Sequence, residues 1–366
     1  MRVKLGDYIK EYSVKNKNNE DIPVYSVSNS LGFCKDYFGK EVASKNKTTY
    51  KIVPRGCFAY NPSRINVGSV DWQNEEERVI VSPLYNVFSV SPLLDQQYLL
   101  YYLKSNVTLS RIRAVASGSV RDNLKLSMLY EFPIDLISLE QQYDVVSTLN
   151  AVQKIIDLYQ KELSGLDELV RARFVEMFGN VQDAKKHSDK QLKDICNTVT
   201  GGTPSTKHAE YYNGTIPWIS TVSLGPNYID GTTAKAFITQ EAVDNSSTKI
   251  IPSSSILFGT RVGIGKSSIN QVEMCTNQDI VAIIDLDESK YNKLYIKYVL
   301  DTYQSYFDSI KKGATILGIS SDDLKNIYIP DASLYEQNRF EKFVKQIDKS
   351  RLLSNHSLFL IKSIIF

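Results

Sequence analysis

Apolar positions along the chain follow distinct rhythms, and each predicts a different element. Short β-branched runs bounded by turn residues predict strands: Arg78-Val79-Ile80-Val81, Asn86-Val87-Phe88-Ser89-Val90 and Asp279-Ile280-Val281-Ala282-Ile283-Ile284. Apolar and tyrosine side chains at helical spacing over Gln96 to Ser105 and over Lys293 to Lys311 predict a helix after each strand set. A longer row alternates steps of four and three: Val145, Leu149, Val152, Ile156, Tyr159, Leu163, Leu166, Val170, Arg173 and Met177, broken only by Arg173. That alternation is a coiled-coil seam, and it predicts one helix of about 40 residues from Leu139 to Phe178, roughly 60 Å long at 1.5 Å per residue. A second row, Phe340, Val344, Ile347, Arg351, Ser354, Leu358, Ile361 and Ile365, carries two polar interruptions. The two helices are natural partners for one another.

Self-similarity explains why the rhythms come in pairs. Residues 118 to 170 align without a gap to 313 to 365: Gly118 meets Gly313, Leu129 meets Leu324, Ser138-Leu139 meets Ser333-Leu334, and Gln142 meets Gln337. Upstream, with small gaps, Ile52-Val53-Pro54 meets Ile250-Ile251-Pro252, and Val79 to Ser105 resembles Cys275 to Thr302. The chain is a tandem duplication of a mixed α/β module, each copy followed by a long helix. The second helix has no counterpart of Phe174 to Gly179, so its pairing is expected to leave one end of the first helix uncovered.

Composition narrows the class. The 366 residues are 42% hydrophobic and 23% charged, values of an ordered globular protein. Formal net charge is only +2, but residues 1 to 130 carry about +6 and residues 131 to 180 about −5, so positive charge is concentrated on one globular part. That favours a localised anionic partner, with other subunits supplying much of any phosphate contact. Cys34, Cys57, Cys196 and Cys275 show no metal-ligand spacing and read as reduced thiols. With no apolar leader after Met1 and no run long enough to span a bilayer, the expected location is cytoplasmic, with no membrane partner.

Gly201-Gly202-Thr203-Pro204-Ser205 is followed by Tyr211-Tyr212-Asn213-Gly214-Thr215-Ile216-Pro217-Trp218-Ile219, then Leu257-Phe258-Gly259-Thr260-Arg261-Val262-Gly263-Ile264-Gly265-Lys266, Asn277-Gln278-Asp279 and Lys312-Gly313-Ala314-Thr315. In that order these segments resemble the target-recognition domain of type I restriction-modification specificity subunits, and Met177-Phe178-Gly179 looks like the family's central helical region. The first copy departs: it lacks the Gly-Gly-Thr-Pro turn and offers Phe58 to Arg64 with Asn66-Val67-Gly68-Ser69 in place of the arginine-glycine loop.

The resemblance implies target-recognition domains at 1–137 and 181–332, with spacer helices at 138–180 and 333–366 pairing as an antiparallel coiled coil. It further implies a non-catalytic subunit that reads a bipartite site on double-stranded DNA. Two modification subunits would methylate adenine and restriction subunits would translocate and cleave. S-adenosylmethionine, ATP and Mg would then belong to those partners, with no cofactor or metal in this chain. A helix of this length exceeds the duplex turn of about 34 Å, so two modules at its ends suit two half-sites.

Residue types give candidate contacts, since arginine pairs with guanine and asparagine or glutamine with adenine in the major groove. Arg261 and Lys266 flank glycines in one loop; Arg64 and Asn66, with Tyr60, Asn61 and Ser69, hold the equivalent place in the first copy. Gly202, Thr203 and Ser205 form the Gly-Gly-Thr-Pro-Ser turn, while Ser119, Arg121, Lys312 and Thr315 sit in loops before the long helices, suited to phosphate. Tyr211, Tyr212 and Trp218 read as packing residues, because a duplex exposes no base faces for stacking.

Catalytic signatures are absent from the sequence. Asn61-Pro62-Ser63-Arg64 lacks the second proline and the aromatic residue of amino-methyltransferases, and Gly263-Ile264-Gly265 is a lone glycine pair outside a βαβ unit. Asp279 and Glu273 lack the lysine partner of a nuclease site. The competing reading is a duplicated protein-interaction scaffold without DNA specificity.

Overall fold

A computed structural model describes residues 1–35, 46–116, 123–313 and 317–365. The chain forms two compact units, one of Met1–Tyr159 with Ser357–Phe366 and one of Gln160–His356. The boundary between them falls inside the long helix, so each unit is built on part of it.

The first unit contains strands β1 (Arg2–Lys4), β2 (Ile9–Glu11), β3 (Ser26–Ser28), β4 (Gly32–Cys34), β5 (Lys51–Pro54), β6 (Phe58–Tyr60), β7 (Val70–Trp72), β8 (Arg78–Val81), β9 (Asn86–Val90) and β10 (Pro133–Asp135). Its helices are α1 (Gln96–Lys104), α2 (Asn106–Ala116), α3 (Leu126–Tyr130) and the start of α4 (Leu139–Phe178). A sheet runs in the order β2–β9–β6–β7, and β5 pairs antiparallel with β8. Phe58 stacks on Phe88 at 5.1 Å across β6 and β9, within a core that also takes Leu99, Leu103 and Ile112 from α1 and α2. The helix expected over Gln96 to Ser105 is α1; α2 follows it directly, where the sequence rhythm predicted nothing.

The second unit contains the rest of α4, then α5 (Ala184–His187), β11 (Asn197–Thr200), β12 (Ile216–Ile219), β13 (Tyr228–Ile229), β14 (Ala236–Ile238), α6 (Gln240–Asp244), β15 (Ile250–Ile251), β16 (Ile256–Gly259), β17 (Ser267–Asn270), β18 (Met274–Thr276) and β19 (Ile280–Ile284). The helices α7 (Lys293–Thr302), α8 (Gln304–Ile310), α9 (Ser321–Lys325) and α10 (Leu334–Ile365) follow, the last of which leaves the unit near its C-terminal end. The sheet orders are β11–β19–β16–β17–β13 and β14–β12–β18–β15. The single helix expected from Lys293 to Lys311 is two, because the chain turns at Tyr303, whose hydroxyl donates to the carbonyls of Val181 (3.0 Å) and Tyr328 (2.8 Å).

Topology repeats as the sequence does. The order β2–β9–β6–β7 recurs as β11–β19–β16–β17, and the antiparallel pair β5–β8 recurs as β15–β18. The aligned glutamines show the duplication at atomic detail. Gln142 donates to Leu93 O and Ile137 O and accepts from Asp95 N; Gln337 donates to Lys290 O and Ala332 O and accepts from Asn292 N. Asp95 caps α1 and Asn292 caps α7, so each buried amide ties the start of a long helix to the N-terminus of another.

Within the second unit α4 and α10 run antiparallel. Phe340 meets Phe174 at 5.4 Å and Phe178 at 5.7 Å, and farther along Arg351 pairs with Asp167. Arg351 also holds Asp348 at 2.9 Å, which explains how a charge is accommodated in the apolar row. Arg173 lies over the Phe343 ring at 5.9 Å and pairs with Glu176, keeping its stem in the seam and its head at the edge. In the first unit the row is less covered at its start: Val145 is 37% exposed and helps line a cavity of about 280 Å³ with Tyr98, Tyr101, Tyr102 and Leu149. The matching place in the second unit is filled by Phe174 and Phe178, packed on Tyr295. Among the described residues no helix is long and apolar enough to cross a membrane.

Candidate nucleic-acid interface

Each unit presents one hairpin loop at the corresponding place in its sheet. In the first unit it joins β6 to β7. The Asn61 side chain accepts from Ser63 N (3.1 Å) and Ser63 Oγ (2.9 Å), Arg64 N donates to Asn61 O (3.0 Å), and buried Ile65 anchors the turn in the core. Arg64 and Ser63 are thereby left exposed, with Asn66 half-buried beside them. The loop is braced from behind, since Leu124 N donates to Pro62 O at 3.1 Å.

Two expected contacts in this loop are corrected. Tyr60 is 0% exposed; its hydroxyl donates to Leu124 O (3.1 Å) and accepts from the Asn86 amide (2.9 Å), so it is spent inside the fold, and burial pushes its pKa well above the usual phenol value. Ser69 is 3% exposed at the start of the returning strand. All three residues of β6 are buried and Ser69 lies just before β7, so both are covered by the fold, a fact that residue type did not reveal. Ser119, Arg121 and Thr315 lie outside the described residues.

In the second unit the loop joins β16 to β17 and is closed by Gly259 N to Lys266 O (2.9 Å) and Gly265 N to Gly259 O (3.1 Å). Arg261 and Lys266 are exposed on it. Three other sequence motifs converge on this loop. Thr260 donates to the Asp279 carbonyl through both N (2.8 Å) and Oγ1 (3.0 Å), and Arg261 Nη1 lies 3.4 Å from Asp279 Oδ1. Thr203 Oγ1 donates to Gln278 Oε1 at 2.5 Å, which joins the Gly-Gly-Thr-Pro turn to the same edge. Ile319 N donates to Thr260 O (2.9 Å), and Gly318 exchanges hydrogen bonds with Lys312, so the loop before α9 completes the row.

Arg261, Lys312, Gly313, Gly318 and Asp323 line an open cleft here. The Asp323 carboxyl is held below its usual range, first by the Ser320 hydroxyl, then by the Ser320 backbone N–H, with nearby Lys312 adding to both.

Gly202 is buried, which corrects its expected contact role. A Cβ there would fall 2.5 Å from Thr248 N, so the residue is glycine to let two backbones approach. Its carbonyl accepts from Trp218 Nε1 (3.0 Å), and Trp218 is buried, as its reading as a packing residue requires. Thr203 and Ser205 remain exposed. Gln278 and Asp279 were legible as motif residues but not as part of an interface, because Thr203 and Gln278 meet across 75 positions of sequence. The arrangement offers cations, amides and hydroxyls with mixed donor and acceptor character on a turn-rich edge, the chemistry that reads base edges and phosphates. Among the described residues no group of three or more His, Cys, Asp or Glu side chains could hold a metal ion.

Comparison with known proteins agrees with this duplication. The type I restriction modification DNA specificity domain matches residues 3–168 and again 185–361. The specificity subunit of the type I restriction enzyme MjaIX from Methanocaldococcus jannaschii is 34% identical over 160 residues, 43% of this chain and 37% of that protein. The EcoR124I/EcoR124II specificity subunit from Escherichia coli is 34% identical over 176 residues, 45% of this chain and 41% of its own length. The matches thus span less than half of those relatives. A solved chain described under complex assembly and conformational transition of the type I R-M system has a similar fold, with a TM-score of 0.63 at 15% identity, covering 100% of this chain and 95% of that one. With both halves matched in tandem, the chain belongs to the type I restriction-modification specificity-subunit family.

Proposed function

We propose that this chain is the sequence-reading subunit of a type I restriction-modification complex, binding a bipartite site on double-stranded DNA and directing partner subunits to methylate adenine or cleave. The observation that carries the reading is the pair of specificity domains, each with the same sheet order and an exposed arginine on the equivalent hairpin loop. A bipartite target follows from two readers of unlike loop sequence, each taking one half. The small net charge fits a subunit that supplies base contacts while partners add phosphate contacts.

The chemistry is assigned to those partners: two modification subunits using S-adenosylmethionine, and restriction subunits using ATP and Mg, all in the cytoplasm where the host chromosome lies. The chain itself binds, orients and selects. The test is to co-express it with its modification subunit and map methylated adenines across the host genome, with the modification subunit alone as control. A new split motif dependent on this chain supports the reading. Methylation that is unchanged without the chain, or absent despite a stable complex, overturns it in favour of a protein-interaction scaffold.

A further inference from the structure

The two exposed arginines are not held alike. Arg261 is braced at both ends of its side chain. At its head, Nη1 lies 3.4 Å from Asp279 Oδ1, and that carboxylate is itself fixed: its side chain is only 15% exposed and Oδ2 accepts from Asn277 Nδ2 at 3.1 Å. Along its stem, Arg261 rests on Gly318, where an added Cβ would fall 2.8 Å from Arg261 Cγ.

Arg64 has neither brace. Among the described residues it makes no ion pair. The ladders show why: Tyr60 pairs with Asn86 in one sheet and Phe258 with Val281 in the other, and counting back from those partners puts exposed Leu84 where Asp279 stands.

An unrestrained arginine loses many rotamers when it engages a base, whereas one already directed loses few. Guanine O6 and N7 require two donors on one edge of the guanidinium, and Asp279 occupies Nη1 while leaving Nε and Nη2 for that task. The pair is long for a charge-assisted hydrogen bond, so it sets direction without locking the head. A carboxylate beside DNA is also repelled by phosphate unless its arginine stays paired between them, which disfavours bases that draw Arg261 elsewhere.

We propose that Asp279 is a positioning residue that presents Arg261 to a guanine edge in one half of the DNA target, making that half the more stringently read. The inference rests on the DNA-reading function proposed above. It is tested in the co-expressed complex by genome-wide adenine methylation, scoring the base preference at every position of the motif for the wild type, Asp279→Asn, Asp279→Glu, Gly318→Ala and Arg261→Ala.

Asp279→Asn is expected to lower guanine preference at a single position by about tenfold. The other half should be untouched, and so should the unfolding temperature of the complex. Asp279→Glu should restore most of the preference, Gly318→Ala should weaken the same position, and Asp279→Asn should add nothing in an Arg261→Ala background. A wild-type split motif that Asp279→Asn leaves unchanged overturns the positioning role alone and leaves DNA reading standing. Equal loss in both halves, or loss together with a lower unfolding temperature, makes Asp279 structural and also overturns it. A wild-type chain that imposes no motif removes both proposals at once.

Discussion

Gln337→Leu tests whether the duplicated helix-start contact is a principal fastening of the second unit. The substitution preserves side-chain bulk but removes an amide that is 0% exposed and fully engaged: it donates to Lys290 O at 3.1 Å and Ala332 O at 2.9 Å and accepts from Asn292 N at 2.8 Å. Leucine offers nothing to those backbone groups. A polar group left unpaired in the interior costs about 1–3 kcal/mol, and with the three partners only part-buried the loss for the set is about 3 kcal/mol. For a unit of this size that corresponds to a fall in Tm of roughly 6–12 °C. Asn292 also caps α7 through Leu294 N and Tyr295 N, so the loss should spread to that helix and show as earlier amide exchange there. Thermal unfolding by circular dichroism, with hydrogen exchange as the local probe, measures both. Gln142→Leu should do the same to the first unit through Leu93, Ile137 and Asp95. A fall of less than about 1 °C for both variants would refute the claim that these amides fasten the helices.

Other outcomes follow from the same structure. Gly202→Ala should destabilise the second unit by more than about 2 kcal/mol, because the new Cβ meets backbone at Thr248 and not a movable side-chain tip; a soluble variant with unchanged Tm would contradict this. Burial raises the Cys275 thiol to about 11, the Cys196 thiol to about 12 and the Tyr303 phenol to about 12. These acids ionise earlier in the unfolded chain than in the folded one. Their contribution is therefore fully present below about pH 9 and is lost progressively as pH rises towards 12, which denaturant titrations across that range would register. A thiol reagent at pH 8 should label half-exposed Cys34 first, Cys196 more slowly because its raised pKa leaves little thiolate, and buried Cys57 and Cys275 only on unfolding.

Much of the fold was legible because its signals are periodic and local. The seam from Leu149 to Met177 is the less exposed row of α4, and the helix spans Leu139–Phe178 as the steps of four and three require. Matching Gln142 to Gln337 proved to align atoms as well as letters, since both make the same set of hydrogen bonds. The break at Tyr303 escaped because a helical rhythm continues through it, and the carbonyls that its side chain reaches, on Val181 and Tyr328, are distant in sequence.

The candidate interface was read less completely. Arg64, Arg261 and Lys266 stand exposed on loops, as glycine and polar residues between strands suggested. Tyr60 and Gly202 were misplaced because residue type alone does not tell which face of a strand or turn is buried. Gln278 and Asp279 were passed over since their partners, Thr203 and Arg261, come to them only through sheet pairing. Long-range pairing is the part of a β-rich site that composition and spacing do not encode locally.

The most direct test of two independent readers on one chain is to map adenine methylation by the co-expressed complex carrying Arg64→Ala or Arg261→Ala, one at a time. The account predicts that each variant relaxes a different half of one split motif, at a cost on the order of 1–3 kcal/mol confined to that half. If both variants relax the same half, or weaken all sites equally with the motif intact, the assignment of one reader to each duplicated unit is contradicted.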